Sequence, residues 1–178
     1  MPTVRVGYRR GQDALAAASC EDGGVDISAR TDYAVRAMLL LAQASQDDTG
    51  PVSVERLAAA QDLPRKFLEA VVGDLRSAGL VESRRGAGGG YVLARPAGDI
   101  AVGDVFRAVS GPLAEVRGLR PQDTSYSGVA EGLPALWVAV RSGLREVLDR
   151  TSIEDVRLGR LPQHVRRLVE SPDAWDNR

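Results

Sequence analysis

A mainly α-helical chain with one small β-hairpin is the fold class that the sequence predicts, and three observations predict it. Apolar residues recur at helical spacing in several separated segments. Two short β-forming runs flank a glycine-rich stretch. A last long apolar stripe opens at a proline after an aperiodic region.

In chain order, the first predicted helix runs from about Ser28 to Ser45. Ser28 suits the N-cap, and Tyr33, Ala37, Leu40, Leu41 and Ala44 form its expected buried stripe. Gln46 to Pro51 reads as a turn. Ser53 then caps a short helix with Arg56 at its third position and Leu57 and Ala60 expected inward. Pro64 suits the start of the next helix, which carries the stripe Leu68, Val71, Val72 and Leu75 and stops near Gly79. Strands are expected at Leu80 to Arg84 and at Tyr91 to Ala94, around Arg85-Gly86-Ala87-Gly88-Gly89-Gly90. Residues 101–109 read as helix, ended by Gly111-Pro112. From Leu113 to Gly132 no period holds. Pro134 opens a helix to about Arg150 with Leu136, Val140, Leu144, Val147 and Leu148 at helical spacing. Thr151-Ser152-Ile153-Glu154 has the pattern of a capping box for one more short helix.

Composition narrows the function classes. The 178 residues carry 23 basic and 24 acidic side chains, one cysteine and one histidine. A formal net charge of -1 gives no global pull towards nucleic acid or anionic lipid, so any basic patch must be local. One cysteine excludes an intrachain disulfide framework and a cysteine zinc finger. One histidine, His164, leaves little for acid–base or two-histidine metal chemistry and reads as a surface residue. Ser77, Ser83, Ser110 and Ser142 have no histidine nearby, and no Gly-Lys-Ser/Thr follows the glycine run, so no catalytic set is found. Arg9-Arg10 and Ala16-Ala17-Ala18-Ser19-Cys20 lack the continuous apolar segment of a targeting signal. The expected location is the cytoplasm.

Two helices a few residues apart, followed by a glycine-tipped hairpin, make a winged helix-turn-helix, and the apolar stripe of the long later helix fits either a dimer seam or a core helix of one chain. The second helix of such a motif enters the major groove. On its outer side near the start lie Arg65, Lys66, Glu69 and Ala70. Arginine and lysine read guanine, and a glutamate accepts from cytosine N4. Arg84 and Arg85, beside the hairpin tip, suit a narrow minor groove. Against this, residues 25–99 hold 9 basic and 10 acidic side chains, which keeps open an alternative: a winged-helix protein–protein interaction module with weak or no specific DNA binding.

The segments Val25-Asp26-Ile27-Ser28, Asp32-Tyr33-Ala34-Val35-Arg36-Ala37, Phe67-Leu68-Glu69, Leu75 to Val81, Arg85 to Tyr91, Ile100 to Val105 and Val109-Ser110-Gly111-Pro112 occur in that order. Together they resemble the Rrf2 family of bacterial winged helix-turn-helix transcription regulators, over about residues 25–160. That family includes an iron–sulfur cluster regulator, a nitric-oxide-sensing repressor and a cysteine-metabolism repressor. The resemblance implies a homodimeric repressor bound to palindromic double-stranded operator DNA, with the 134–150 helix at the dimer interface. It places Lys66, Phe67, Glu69 and Ala70 at the recognition-helix contacts, Arg85 with Gly86 at the minor-groove wing, and Arg30 and Tyr33 near the DNA backbone. Cluster-binding members carry three cysteines before the long helix; here Leu113 to Leu133 contains neither cysteine nor histidine. No iron–sulfur cofactor and no metal are expected, and the signal is expected to be a small molecule or protein effector acting near residues 113–133.

The resulting organisation is a flexible extension over 1–24 with Val25 as a candidate translation start, and a winged helix-turn-helix domain over 25–111. An effector region over 112–132, a dimerisation helix and short helix over 133–160, and a polar tail over 161–178 follow.

Overall fold

The computed structural model describes residues 27–86 and 88–176. The expected extension over 1–24, Val25 and Cys20 lie outside the described residues.

Helix α1 (Ala29–Gln46) begins as expected: the Ser28 hydroxyl accepts the Thr31 backbone N–H. Its buried side is Thr31, Ala34, Ala37, Met38, Leu41 and Ala42, whereas Tyr33, Leu40 and Ala44 are only half-buried. The stripe is shifted because α1 is a hub, packed by α3 (Arg65–Ser77), α4 (Val102–Ser110), α6 (Ile153–Arg157) and the second strand. Small alanines on the central face let those helices approach closely. Thr31 is buried there with its hydroxyl 2.7 Å from that of Ser110.

Ser53 caps α2 (Val54–Gln61), its hydroxyl accepting the Arg56 N–H. Leu57 and Ala58 are buried and Ala60 is exposed, so the inward residue is one position after Leu57 rather than three. The whole expected stripe of α3 (Leu68, Val71, Val72 and Leu75) is fully buried. Burying four such side chains stabilises by about 1.5–3 kcal/mol each in transfer terms.

Strands β1 (Val81–Arg84) and β2 (Gly90–Leu93) pair antiparallel, with Val81 opposite Leu93 and Arg84 opposite Gly90. The hairpin does not stand alone. Val52, just before α2, forms a bridge with Tyr91: its N–H donates to the Tyr91 carbonyl at 3.0 Å, and Tyr91 N–H donates back at 2.8 Å. That contact explains a glycine in β2. A Cβ on Gly90 would lie 2.5 Å from the Val52 carbonyl carbon and 2.8 Å from the Ser53 nitrogen, so a side chain would push the hairpin off its support.

Beyond α4 the chain from Pro112 to Gly132 contains a tight bridge between Val116 and Leu119 and short 3-10 turns at Pro121–Asp123 and Gly128–Ala130. Helix α5 (Leu133–Leu148) follows with Pro134 in its first turn. The capping box of α6 is Ser152 with Asp155, one residue later than the sequence pattern placed it. Ile153 and Ile100 are fully buried, tied by a 2.9 Å backbone hydrogen bond that returns α6 to the core. After Pro162 the structure adds α7 (Gln163–Val169), anchored by buried Val165. His164 is half-buried there, and its Nε2 is buried with no hydrogen-bond partner.

Asp149 joins α4 to the end of α5. It accepts from Arg107 at 2.7 Å and from Arg145 at 3.1 Å. Burial would push its carboxyl up, but the hydrogen bonds and charges of Arg107 and Arg145 outweigh that and hold it below its ordinary value. A carboxyl lowered in the folded state adds stability above its unfolded value of about 3.9, and loses it as pH falls through the folded value. Asp149→Asn is expected to cost about 1 kcal/mol at neutral pH, since both arginines are partly exposed. In thermal melts the variant should converge with the parent protein as pH falls below about 4; a constant gap at every pH would refute this.

Candidate nucleic-acid interface

The start of α3 is positioned by a chain of contacts from α1. The Arg36 guanidinium donates to the Gln61 side chain and to the Gln61 carbonyl, both at 2.6 Å, and so fixes the end of α2. The same guanidinium lies over the Tyr33 ring, 5.8 Å from its centroid. Tyr33 meets Phe67 edge to face, with centroids 5.5 Å apart. Between α2 and α3, Asp62 adopts a left-handed conformation (φ 52°) that turns the chain. Pro64 then starts α3 with no side-chain cap and no acidic residue in the first turn. The helix therefore begins with unopposed N–H dipoles, which favour a phosphate.

The outer face of α3 presents Arg65, Lys66, Glu69 and Ala70, all exposed, as the sequence placed them. Their charges are not equivalent. Arg65 is held between Glu55 at 2.6 Å and Glu69 at 2.9 Å. The Glu55 carboxyl is held below its ordinary value by hydrogen bonds, first with its own backbone N–H and then with Ser53, with Arg65 adding to them. Lys66 makes no ion pair or hydrogen bond among the described residues and is free to meet a partner. Phe67 is half-buried against Tyr33, so in the free protein both aromatics orient the helix rather than project from it.

At the hairpin, Arg84 is paired with Glu82 at 3.2 Å. Arg85 is exposed and, among the described residues, unpaired. Gly86 follows with φ 119°, a backbone conformation that side chains oppose, and its carbonyl accepts the Gly89 N–H at 2.9 Å. Arg30 is placed differently from the other cations. Its guanidinium pairs with Asp74 of α3 and donates at 3.1 Å to the Val109 carbonyl, binding α1, α3 and α4 together. In the free protein it works as a structural clamp.

Arg36 and Val52 were invisible as site-forming residues in the sequence, because Gln61 and Tyr91 lie far along the chain. Arg56 and Arg76 are two further exposed cations with no partner among the described residues.

The expected dimerisation stripe divides in two. Leu136 and Val140 are 52% and 40% exposed. Leu144, Val147 and Leu148 are half-buried and line a groove of about 680 Å³ with Ile27, Thr31 and Phe106. No residue of α5 is fully buried within the single chain.

Comparison with known proteins gives a consistent result. The model of a family described as Rrf2, an iron-dependent transcriptional regulator, matches residues 27–157. An HTH-type transcriptional regulator of Mycobacterium tuberculosis (strain H37Rv) is 44% identical over 151 residues, covering 85% of this chain and 92% of the relative. The HTH-type transcriptional regulator CymR of Bacillus subtilis is 36% identical over 130 residues, covering 73% of this chain and 88% of the relative. Among solved structures, CymR, the global cysteine regulator of B. subtilis, aligns with TM-score 0.63 and 35% identity, over 75% of this chain and 97% of that one. IscR of T. potens aligns with TM-score 0.58 and 33% identity, over 81% of this chain and 97% of that one.

The iron-dependence in that family description meets a donor set that does not suit an iron–sulfur cluster. Leu113 to Leu133 offers Glu115, Asp123 and Glu131 but no thiol or imidazole. Among the described residues, no three histidine, cysteine, aspartate or glutamate side chains gather as a metal site. Clusters need thiolates, with histidine as the usual substitute.

Proposed function

The chain belongs to the Rrf2 family of DNA-binding transcriptional regulators, and from that premise we propose that it acts in the cytoplasm as a homodimer on palindromic operator DNA. In this reading it represses, and it works without a thiolate-held iron–sulfur cluster. Lys66 meets base edges or phosphate at the start of α3, and Arg85 with Gly86 enters the minor groove. Glu69 and Ala70 line the same groove-facing side. Arg65 and Arg84 add positive charge beside them, and Tyr33, Phe67 and Arg30 hold the helix at its angle. The observation that carries the reading is that the recognition helix and the wing each keep an exposed cation without a partner among the described residues. Lys66 and Arg85 are unpaired at the two points where a winged helix meets DNA, while Arg65, Arg84 and Arg30 are neutralised. Family membership supports DNA binding over a pure interaction module.

The second copy is expected along α5, its Leu136 and Val140 covering those of its mate and Leu144, Val147 and Leu148 closing the groove behind. A signal, small molecule or protein, would act on residues 113–133 and shift the balance between operator-competent and incompetent dimers.

A binding titration against genomic fragments at several salt concentrations tests this. The logarithm of the association constant should fall linearly with the logarithm of salt, and Lys66→Ala should reduce the slope by roughly 1 per lost phosphate contact. Salt-independent binding, or an unchanged slope and affinity in Lys66→Ala, would remove Lys66 from the interface.

A further inference from the structure

A cleft of about 400 Å³ lies where the end of α4, the turn at Pro121–Asp123 and the middle of α5 meet. Arg107, Arg120 and Arg141 all line it, and no carboxylate does. Arg107 is already neutralised by Asp104 and Asp149. Arg120 has no partner among the described residues, and Arg141 bonds only the neutral amide of Gln122. The contrast along the same helix is telling: Arg145, one turn later, is paired with Asp149. Arg120 is exposed and Arg141 half-buried, and neither guanidinium has a carboxylate partner among the described residues, so an oxyanion in the cleft would meet two uncompensated cations. The cleft has structural support. Pro121 and Thr124 are buried and pack the turn against α5, which fixes the backbone beside Arg120. Pro112 and Ala114 supply an apolar wall.

We propose that this cleft binds a small organic oxyanion. A carboxylate or phosphate group would be held by the forks of Arg120 and Arg141, and its carbon skeleton would lie against Pro112 and Ala114. Planar guanidinium groups match both oxyanions in bidentate geometry, and the volume falls in the range of metabolite sites. A bound anion would join α5 and the 112–124 loop to the end of α4, and α4 packs on both α1 and α3. That coupling to DNA rests on the proposed function; the binding itself does not.

The test is calorimetric titration of the full-length protein with citrate and, separately, inorganic phosphate, at constant ionic strength set with chloride. The expected result is saturable binding of at least one probe, with one site per protomer. The tighter probe identifies the carboxylate or the phosphate as the preferred group. Arg120→Ala and Arg141→Ala should each weaken binding about tenfold or more, while Arg85→Ala leaves it unchanged. Should Arg141→Ala fail to fold by circular dichroism, Arg141→Gln keeps the side chain's reach without its charge. No saturable binding, affinity unchanged from the parent protein in the Arg120 and Arg141 variants, or loss of binding in Arg85→Ala would overturn the proposal. Operator binding measured on the same preparations separates the two readings. Intact DNA binding without anion binding refutes this site alone, and anion binding without DNA binding refutes the interface alone.

Discussion

Replacing Arg85 with alanine is expected to weaken operator binding by at least about thirtyfold. A single arginine reaching into a groove contributes roughly 1–3 kcal/mol, and a symmetric dimer loses two at once. The minimum of about 2 kcal/mol corresponds to that factor. The folded protein should be unaffected, because Arg85 is exposed and makes no ion pair or hydrogen bond among the described residues. Arg84→Ala is the internal control. Its guanidinium already pairs with Glu82 on the same strand, so its loss should cost DNA binding less. Fluorescence anisotropy with an operator duplex measures both. Equal affinity in Arg85→Ala and the parent protein would mean that the hairpin tip does not touch DNA.

The second large effect concerns the long helix. Leu136 and Val140 are exposed on the single chain, so glutamates there should cost little folding stability. In a dimer paired along α5 the same substitutions place four carboxylates in one apolar seam, where unpaired charge is strongly disfavoured. Leu136→Glu with Val140→Glu is therefore expected to give a folded monomer. Operator affinity should fall about a hundredfold or more, because the second half-site loses the effective concentration that linkage supplies. Sedimentation velocity reads the mass directly, and circular dichroism shows that the helices persist. A double variant that remains dimeric would place the subunit contact elsewhere. The same substitutions at Leu144, Val147 or Leu148 would be less informative, because those side chains also face the body of their own subunit.

Much of this architecture is written locally in the chain. Ser28 and Ser53 cap the helices they precede, and the α3 stripe reads directly from its spacing because that helix buries one face only. The hairpin follows from two short strands around glycines. What was not legible depends on partners distant in sequence. The buried side of α1 is rotated because the helix is packed by several elements, which a one-face reading cannot anticipate. Ala58 rather than Ala60 turns inward on α2. Arg30, Arg65 and Lys66 look alike as sequence, yet only the fold brings Asp74 to the first and Glu55 to the second and leaves the third free. The support of the hairpin by Val52 requires Tyr91, and the uncompensated cleft requires Arg120 and Arg141 to meet across a loop with no periodicity. Helix α7 falls in the stretch expected to be a polar tail, because its short segment shows one anchor, Val165, and no stripe.

The central claim is that this chain, neutral overall, reads DNA as a symmetric pair through a few free cations. Footprinting of the purified protein across its own genomic DNA tests that claim most directly. The account predicts enrichment of palindromic sites whose half-sites are centred about 34–36 Å apart, or a multiple of it, along one face of the duplex. A footprint with no palindromic enrichment, or half-sites with no fixed helical phasing, would contradict it.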